Sequence, residues 1–170
     1  LKPFQAAASV KSGAIDSAGF NDKELALMCA SHKGEDMHVE TAMSMLDKLG
    51  LHVDDYECGS HFPSDRITRH GMITDKKVAK PLHNNCSGKH AGMLALAKHL
   101  GGETRGYVHK DHPVQKTIME YVSELTALED IPTEIDGCSA PTPFMTLKTI
   151  AEMFQKLVSG NNSELDRVFN

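Results

Sequence analysis

The sequence predicts a mainly helical layer with few strands, folded as a single domain. Apolar residues recur at helical spacing in several segments, and most of these segments begin at a capping residue or a proline and end at a glycine. Segments with the alternating pattern of a strand are short and weak. A chain of 170 residues can bury an ordinary hydrophobic core. We therefore expect one domain built mainly of helices.

The first half of the chain carries the start and stop signals of four helices. Proline is tolerated only in the first turn of a helix, so Lys2-Pro3 lies at a helix start and Gly13 marks the end. Asn21 and Glu24 have the spacing of a capping box. The four predicted helices cover residues 2–13, 21–30, 36–50 and 64–70. Residues 51–62 alternate weakly, and residues 72–83 are predicted to hold one short extended piece.

The second half begins with a helix of small residues from Gly88 to Leu100, which Gly101 ends. Further helices start at His112-Pro113, near Thr146 and near Asn162. Residues 106–109 form a linker or a short strand, and residues 134–141 are predicted to be a polar loop marked by glycine and proline.

Composition and charge exclude several classes of function. The net charge is −5 and no run of lysine or arginine occurs, so we expect no nucleic-acid partner. No apolar segment is long enough to span a bilayer and no signal peptide is visible, which makes a cytoplasmic setting the default. The 4 cysteines are widely spread without a CxxC pair, so free thiols or metal ligands are expected rather than disulfides.

The chain begins without methionine and inside a predicted helix. We therefore expect Leu1 to lie within a helix that begins before it. From this we expect residues 1–170 to be an incomplete portion of a longer domain.

The densest group of reactive side chains lies in residues 81–94, at the start of the Gly88–Leu100 helix. The amides and partial positive charge of a helix N-terminus suit a thiolate, a carboxylate or an oxyanion. The run Ser87-Gly88-Lys89 suggests a phosphate-binding loop, but that motif needs a glycine at position 83 and a serine or threonine at position 90. Both positions are histidine in this chain. A nucleotide site is therefore excluded.

Cys86 and Lys89 lie three residues apart on one face of the first helical turn, and Cys138 lies in a second glycine turn beside Asp136. Two thiolates that converge with a third donor are typical of a zinc site. Free cysteine is also a common small, buried apolar residue. The spacing alone leaves both interpretations open. The pairs His32/His38 and His109/His112 fit no metal motif and are expected to be solvated or capping residues.

Ser31 lies at a helix end beside basic residues. A serine becomes a nucleophile only when a base takes its proton, and a neutral lysine can serve as that base. Taken alone, Ser31 fits a cap or turn residue better than a nucleophile. Lys2 raises the same question, because a lysine one turn into a helix can act as base for a serine three residues earlier, the SxxK arrangement. That serine would precede Leu1, so the sequence leaves this open.

Several segments taken together resemble the L-asparaginase II family, the rhizobial-type or class 3 asparaginases. The run from Asn84 to Met93, NNCSGKHAGM, is the most specific. The resemblance covers essentially the whole chain. The other segments that carry it are residues 2–5, 29–35, 58–63, 112–115 and 136–141.

The resemblance implies an α/β (α+β) fold of the serine β-lactamase type, of which this chain is mostly the helical part. It implies hydrolysis of L-asparagine to L-aspartate and ammonia by paired Ser–Lys tandems, and a homodimer is compatible with it. Lys2 falls on the SxxK lysine and Ser31 on the serine of the second tandem. Zinc is the implied cofactor. Its implied ligands are Cys86, Lys89 and Cys138, and the residues assigned to substrate binding are Asp136, Asn84 and His90.

One position departs from the family pattern, since Lys33 stands where a small serine is usual. Two alternatives remain at this stage. In the first alternative, the chain is a catalytically incomplete fragment held together by zinc, or a relative that only binds ligand. The reason is that one partner of each tandem lies outside these residues. The weaker alternative is a penicillin-recognising SxxK hydrolase, whose KTG and SDN elements do not occur in this sequence.

Overall fold

The computed structural model describes all 170 residues. It consists of nine α-helices and one antiparallel sheet of two strands. Short 3₁₀ turns lie at Val53–Asp55 and Pro81–His83. The elements are α1 Lys2–Lys11, α2 Ala14–Ser17, α3 Asp22–Cys29, α4 Asp36–Leu49, α5 Arg66–Thr74, α6 Ser87–His99, α7 Pro113–Thr126, β1 Thr133–Ile135, β2 Pro141–Pro143, α8 Leu147–Leu157 and α9 Ser163–Phe169.

Helix α6 is the centre of the fold. Every residue from Ser87 to Ala97 is buried, and α1, α2, α3, α4 and α7 pack against the helix. A helix that is apolar or small on all sides is stable only when other elements enclose it. The reactive residues at the start of α6 therefore lie in the interior, next to the ends of neighbouring helices.

Helices α3 and α6 approach closely because α6 has glycine at two positions one turn apart. A Cβ atom at Gly88 would lie 2.3 Å from the carbonyl oxygen of Leu27, and one at Gly92 would lie 2.2 Å from Cε of Met28. Both distances are far below van der Waals contact. At Gly88 the obstacle is backbone, so only glycine permits this packing there, whereas at Gly92 it is the flexible end of a side chain. The close approach sets the C-terminal end of α3 directly against the first turn of α6.

Most predicted helix starts are confirmed by their caps. Asn21 and Glu24 form the reciprocal capping box at the start of α3. A side chain accepts a backbone N–H at the start of α7, α8 and α9. The capping residues of those three helices are His112, Thr146 and Asn162.

The helix count is higher than the sequence predicts. The chain turns at Gly13, with φ of +83°, and continues as the separate four-residue helix α2. Helix α5 is capped by Asp65 and runs through Gly71 to Thr74. No strand forms in residues 72–83, which hold the end of α5 and a 3₁₀ turn. Between them the backbone of Lys80 is extended, so the expected short extended piece stays a prediction. A glycine at an exposed helix position weakens the helix without ending it.

Residues 133–143 form a β-hairpin where a polar loop was expected. Thr133 pairs with Pro143 and Ile135 with Pro141, and the backbone N–H of Asp136 donates to Ala140 O over 3.0 Å. The Asp136 carboxylate accepts two backbone N–H groups of the turn, an arrangement that fixes tight turns. The hairpin carries Cys138 at its tip, which packs into the core.

The expectation of a mostly helical chain with few strands is confirmed. Assignment to the serine β-lactamase type of fold stays a prediction. None of the helices combines the length and the apolar character that crossing a membrane requires.

Candidate active site

The ammonium group of Lys2 joins three segments of the chain. Its Nζ lies 2.5 Å from Ala30 O, 2.9 Å from Ser31 Oγ and 3.3 Å from Asn85 O. Residues 30–35, which follow α3, are called the Ser31 loop below. Lys2 is half-buried at the first turn of α1 and Ser31 is exposed, so solvent reaches the Ser31 hydroxyl. The two predicted catalytic residues are thus in direct contact.

His32 differs from its expected state. It is buried rather than solvated, and its ring stacks on His38 with centroids 5.1 Å apart. The sequence could not show this, because the surrounding wall comes from the start of α6. Burial, together with the nearby His38 and Lys2, lowers the pKa of His32 to about 4. The imidazole is therefore neutral near pH 7.

The start of α6 and the tip of the hairpin bring together the predicted metal ligands and Asp136. Lys89 is 4% exposed, and its Nζ lies 2.9 Å from Asp136 Oδ2. Desolvation raises the pKa of Asp136, but hydrogen bonds from Cys138 and Lys89 outweigh it and hold the value at about 2. Burial alone would lower the pKa of Lys89, but Cys138 and Asp136 raise it above its usual value. The pair is a charged ion pair at neutral pH.

The two thiols of the site share a hydrogen bond. A hydrogen bond from Cys138 lowers the pKa of Cys86, with Lys89 and Lys2 acting in the same direction, whereas that bond raises the pKa of Cys138. Cys86 is therefore the more acidic thiol of the pair. All four cysteines of the chain are free thiols, as expected.

A chain of hydrogen bonds extends from this thiol pair into the core. The backbone N–H of Glu57 donates to the Tyr107 hydroxyl over 2.9 Å, and that hydroxyl lies 2.7 Å from His90 Nδ1. The phenol proton is therefore donated to Nδ1, which leaves the imidazole proton on Nε2, 3.1 Å from Cys138 Sγ. Burial lowers the pKa of His90 to about 3, so the ring is neutral.

Two residues assigned to substrate binding lie inside the protein. His90 is fully buried with both ring nitrogens engaged, which leaves no atom free for a substrate. Asn84 is 4% exposed. Its amide donates to Cys58 O over 2.7 Å and accepts from the backbone N–H of Cys86 over 2.9 Å. His90 and Asn84 therefore support the site from the protein interior through their hydrogen bonds, whereas Asp136 remains partly exposed.

The predicted metal ligands supply two sulfur donors and one amine. Among the 170 residues, no group of three or more His, Cys, Asp or Glu side chains is placed to hold a metal ion. A zinc ion bound here would need Lys89 as a third protein ligand, in its neutral form. The residues fit a three-ligand site once Lys89 and the two thiols have lost their protons.

The comparison with protein families shows which family the chain belongs to. A model of the family described as L-asparaginase II matches residues 1–170, the whole chain. The chain belongs to the L-asparaginase II family. Membership indicates an amidohydrolase that acts on asparagine, a small-molecule substrate. A search among curated proteins gave no significant match.

Within this asparaginase II chain, two groups of predicted residues converge. Lys2 touches Ser31 on one side of the site, and Lys89 touches Asp136 on the other. The charge of Lys2 also lowers the pKa of Cys86, which links the two groups. A cleft of about 680 Å³ lies between α7 and the hairpin, and none of these residues lines it.

Sequence reasoning did not identify the buried residues that hydrogen-bond to the asparaginase II site. Tyr107 sets the proton position of His90, and Ser87 accepts a hydrogen bond from His32. Tyr107 carried no signal, because it lies in a turn with no motif around it. Ser87 is part of the most specific run in the sequence, but the run does not show which of its polar atoms point inward.

Proposed function

We propose that this protein hydrolyses L-asparagine to L-aspartate and ammonia by Ser–Lys covalent catalysis. One observation carries the proposal: Lys2 Nζ lies 2.9 Å from Ser31 Oγ, at a solvent-exposed edge of a chain in the L-asparaginase II family. A serine–lysine pair in hydrogen-bond contact is the arrangement in which a lysine can accept a hydroxyl proton.

The proposed reaction has two stages. A serine hydroxyl attacks the side-chain carbonyl carbon of asparagine, its proton passes to the neutral amine of Lys2, and that proton leaves with the departing ammonia. Water then attacks the acyl ester, which releases aspartate and restores the serine. The family pattern gives the attack to the SxxK serine ahead of Lys2, and Ser31 belongs to the second tandem. In the proposed site Ser31 Oγ orients Lys2 and lies on its proton path.

Asp136 is the proposed partner for the ammonium group of asparagine. Its side chain is 30% exposed, and its low pKa keeps the carboxylate charged at neutral pH. Oδ2 already accepts from Lys89 and Oδ1 from the turn amides of Cys138 and Ala140. These contacts fix the carboxylate in one orientation, which favours recognition of a second cation.

We propose that zinc is the cofactor, held by Cys86, Lys89 and Cys138. The support is that two thiols and one amine from two distant segments meet in a buried site. When bound, the ion would act as a cross-link between the start of α6 and the hairpin and would polarise groups beside it. His90 would then hold Cys138 in place through its Nε2 proton.

Elemental analysis tests the metal. The purified protein should contain about one zinc per chain, and Cys86→Ser should lose most of it because a thiolate ligand is gone. Cys58→Ser is the matched control, since the Cys58 thiol points to the carbonyl oxygens of Gly59 and Pro81. Full zinc content in Cys86→Ser would contradict this ligand set.

Ammonia release tests the activity. Wild-type protein with L-asparagine should produce ammonia and aspartate in equal amounts, and a β-lactam should leave no covalent adduct by mass spectrometry. Binding of asparagine without turnover would support a ligand-binding relative instead. Acylation by the β-lactam would support the penicillin-recognising alternative.

A further inference from the structure

His32 is buried between the Ser31 loop and the start of α6. It is 4% exposed, although its neighbours Ser31 and Lys33 are both exposed. Its Nε2 lies 2.8 Å from Ser87 Oγ, and its backbone N–H donates to Asn85 O over 3.2 Å. The ring and the backbone of His32 thus hold the Ser31 loop to the segment that leads into α6.

The direction of the hydrogen bond between His32 and Ser87 follows from its surroundings. The backbone N–H of Gly34 donates to Nδ1 of His32 over 3.1 Å, so the imidazole proton lies on Nε2 and is donated to Ser87 Oγ. Ser87 in turn lies 3.3 Å from Leu82 O, to which its hydroxyl donates. Ser87 is fully buried, so water cannot replace a lost partner there.

The backbone carbonyl of Asn85 connects His32 to Lys2. Asn85 O accepts the backbone N–H of His32 and also a proton of the Lys2 ammonium group. Ala30 O and Ser31 Oγ take the other two Lys2 protons. A shift of the Ser31 loop away from α6 would therefore move two of the three acceptors of Lys2 relative to the third.

We infer that His32 is a positioning residue that holds Ser31 against Lys2 through its side-chain hydrogen bond to Ser87. Its ring hydrogen-bonds to neither the Lys2 ammonium group nor the Ser31 hydroxyl, and it acts through the backbone of the loop. A displacement of about 1 Å at such a site can cost about 10²-fold in rate. The kinetic consequence rests on the proposed function, but the positioning itself does not.

Two conservative variants separate the two hydrogen bonds of the ring. In His32→Gln, the amide nitrogen takes the place of Nε2 and keeps the bond to Ser87. In His32→Asn, the shorter amide takes the place of Nδ1 and keeps only the bond from Gly34. We expect His32→Asn and Ser87→Ala to lower kcat by about 10²-fold with little change in KM, and His32→Gln to restore most of the lost kcat.

A double-mutant cycle shows whether the two residues act through one bond. Ser87→Ala should cause no further loss in a His32→Asn background, because the bond is already absent. A purely structural role would lower the melting temperature and kcat of the Gln and Asn variants together. Equal loss of kcat in both variants would overturn the inference.

Crystal structures of the substrate-free variants give a readout that needs no turnover. The Lys2 Nζ to Ser31 Oγ distance should stay near 2.9 Å in His32→Gln, as in the wild type. It should lengthen beyond hydrogen-bond range in His32→Asn. If wild-type protein released no ammonia, the proposed function would fail while this distance still decided the role of His32. An unchanged Lys2–Ser31 distance in His32→Asn would refute the positioning role of His32.

Discussion

Replacing Lys2 with methionine is expected to lower kcat for asparagine hydrolysis by about 10³-fold, because proton transfer by a positioned base contributes on this scale. Methionine keeps the length and apolar body of the side chain and removes the amine that touches Ala30, Ser31 and Asn85. The measurement is steady-state ammonia release across a range of asparagine concentrations. KM should change less than kcat, since the proposed role lies in the chemical step.

Lys11→Met is the matched control at the other end of α1. Lys11 is an exposed lysine that pairs with Glu124, far from the site along the helix. It should leave kcat unchanged. Ser31→Ala should lie between the two, with a loss of about 10²-fold, because it removes one contact of Lys2 and leaves the amine. Wild-type kcat in Lys2→Met would remove the Ser–Lys chemistry from the mechanism.

Replacing Gly88 with alanine is expected to lower the free energy of unfolding by about 3 kcal/mol, the upper end for overpacking a core. The new Cβ would lie 2.3 Å from the carbonyl oxygen of Leu27, and backbone cannot yield as a side chain does. Alanine favours a helix over glycine by about 1 kcal/mol, which offsets only part of the loss. Urea denaturation followed by circular dichroism measures the change.

Two other helical glycines provide a graded comparison. At Gly92 the added Cβ meets the flexible end of Met28, so alanine should cost only about 1 kcal/mol. At Gly71 no atom lies within 4 Å, so alanine should stabilise α5 by about 0.5 kcal/mol. Equal stability changes at all three positions would show that close packing of α3 on α6 is not the cause.

Gly88→Ala should also affect the site, because α3 ends at the Ser31 loop. If α3 moves away from α6, Ser31 moves with it while Lys2 stays on α1. The loss of kcat in Gly88→Ala should therefore exceed the loss in Gly92→Ala even at a temperature where both variants are fully folded. The circular dichroism signal at the assay temperature verifies the folded fraction.

Local signals in the sequence predict much of this fold. Helix starts follow from contacts within four residues, such as the capping box of Asn21 and Glu24 and the cap at His112. Those contacts need no knowledge of the remaining chain. The β-hairpin was missed because its strands are only three residues long and its turn depends on side-chain acceptance by Asp136. Such a turn has no periodic pattern.

The candidate site was predictable as a set of residue types but not as an arrangement. Lys2 and Ser31 are 29 residues apart, and Lys89 and Asp136 are 47 apart, so their contacts depend on how whole helices pack. Burial of His90 follows from the enclosure of α6 on all sides. The sequence shows that this helix is rich in small residues, but it does not show which elements cover each face.

The three contacts of Lys2 are compatible with both the resting protein and the form that can act as a base. An ammonium group has three protons for its three acceptors, whereas a neutral amine has two protons and a lone pair. A neutral amine can keep all three contacts, because its two protons stay on Ala30 O and Asn85 O while its lone pair accepts the Ser31 hydroxyl proton. Only the hydrogen bond to Ser31 changes direction. The resting contacts therefore hold the serine in place for the proton transfer that the base must perform.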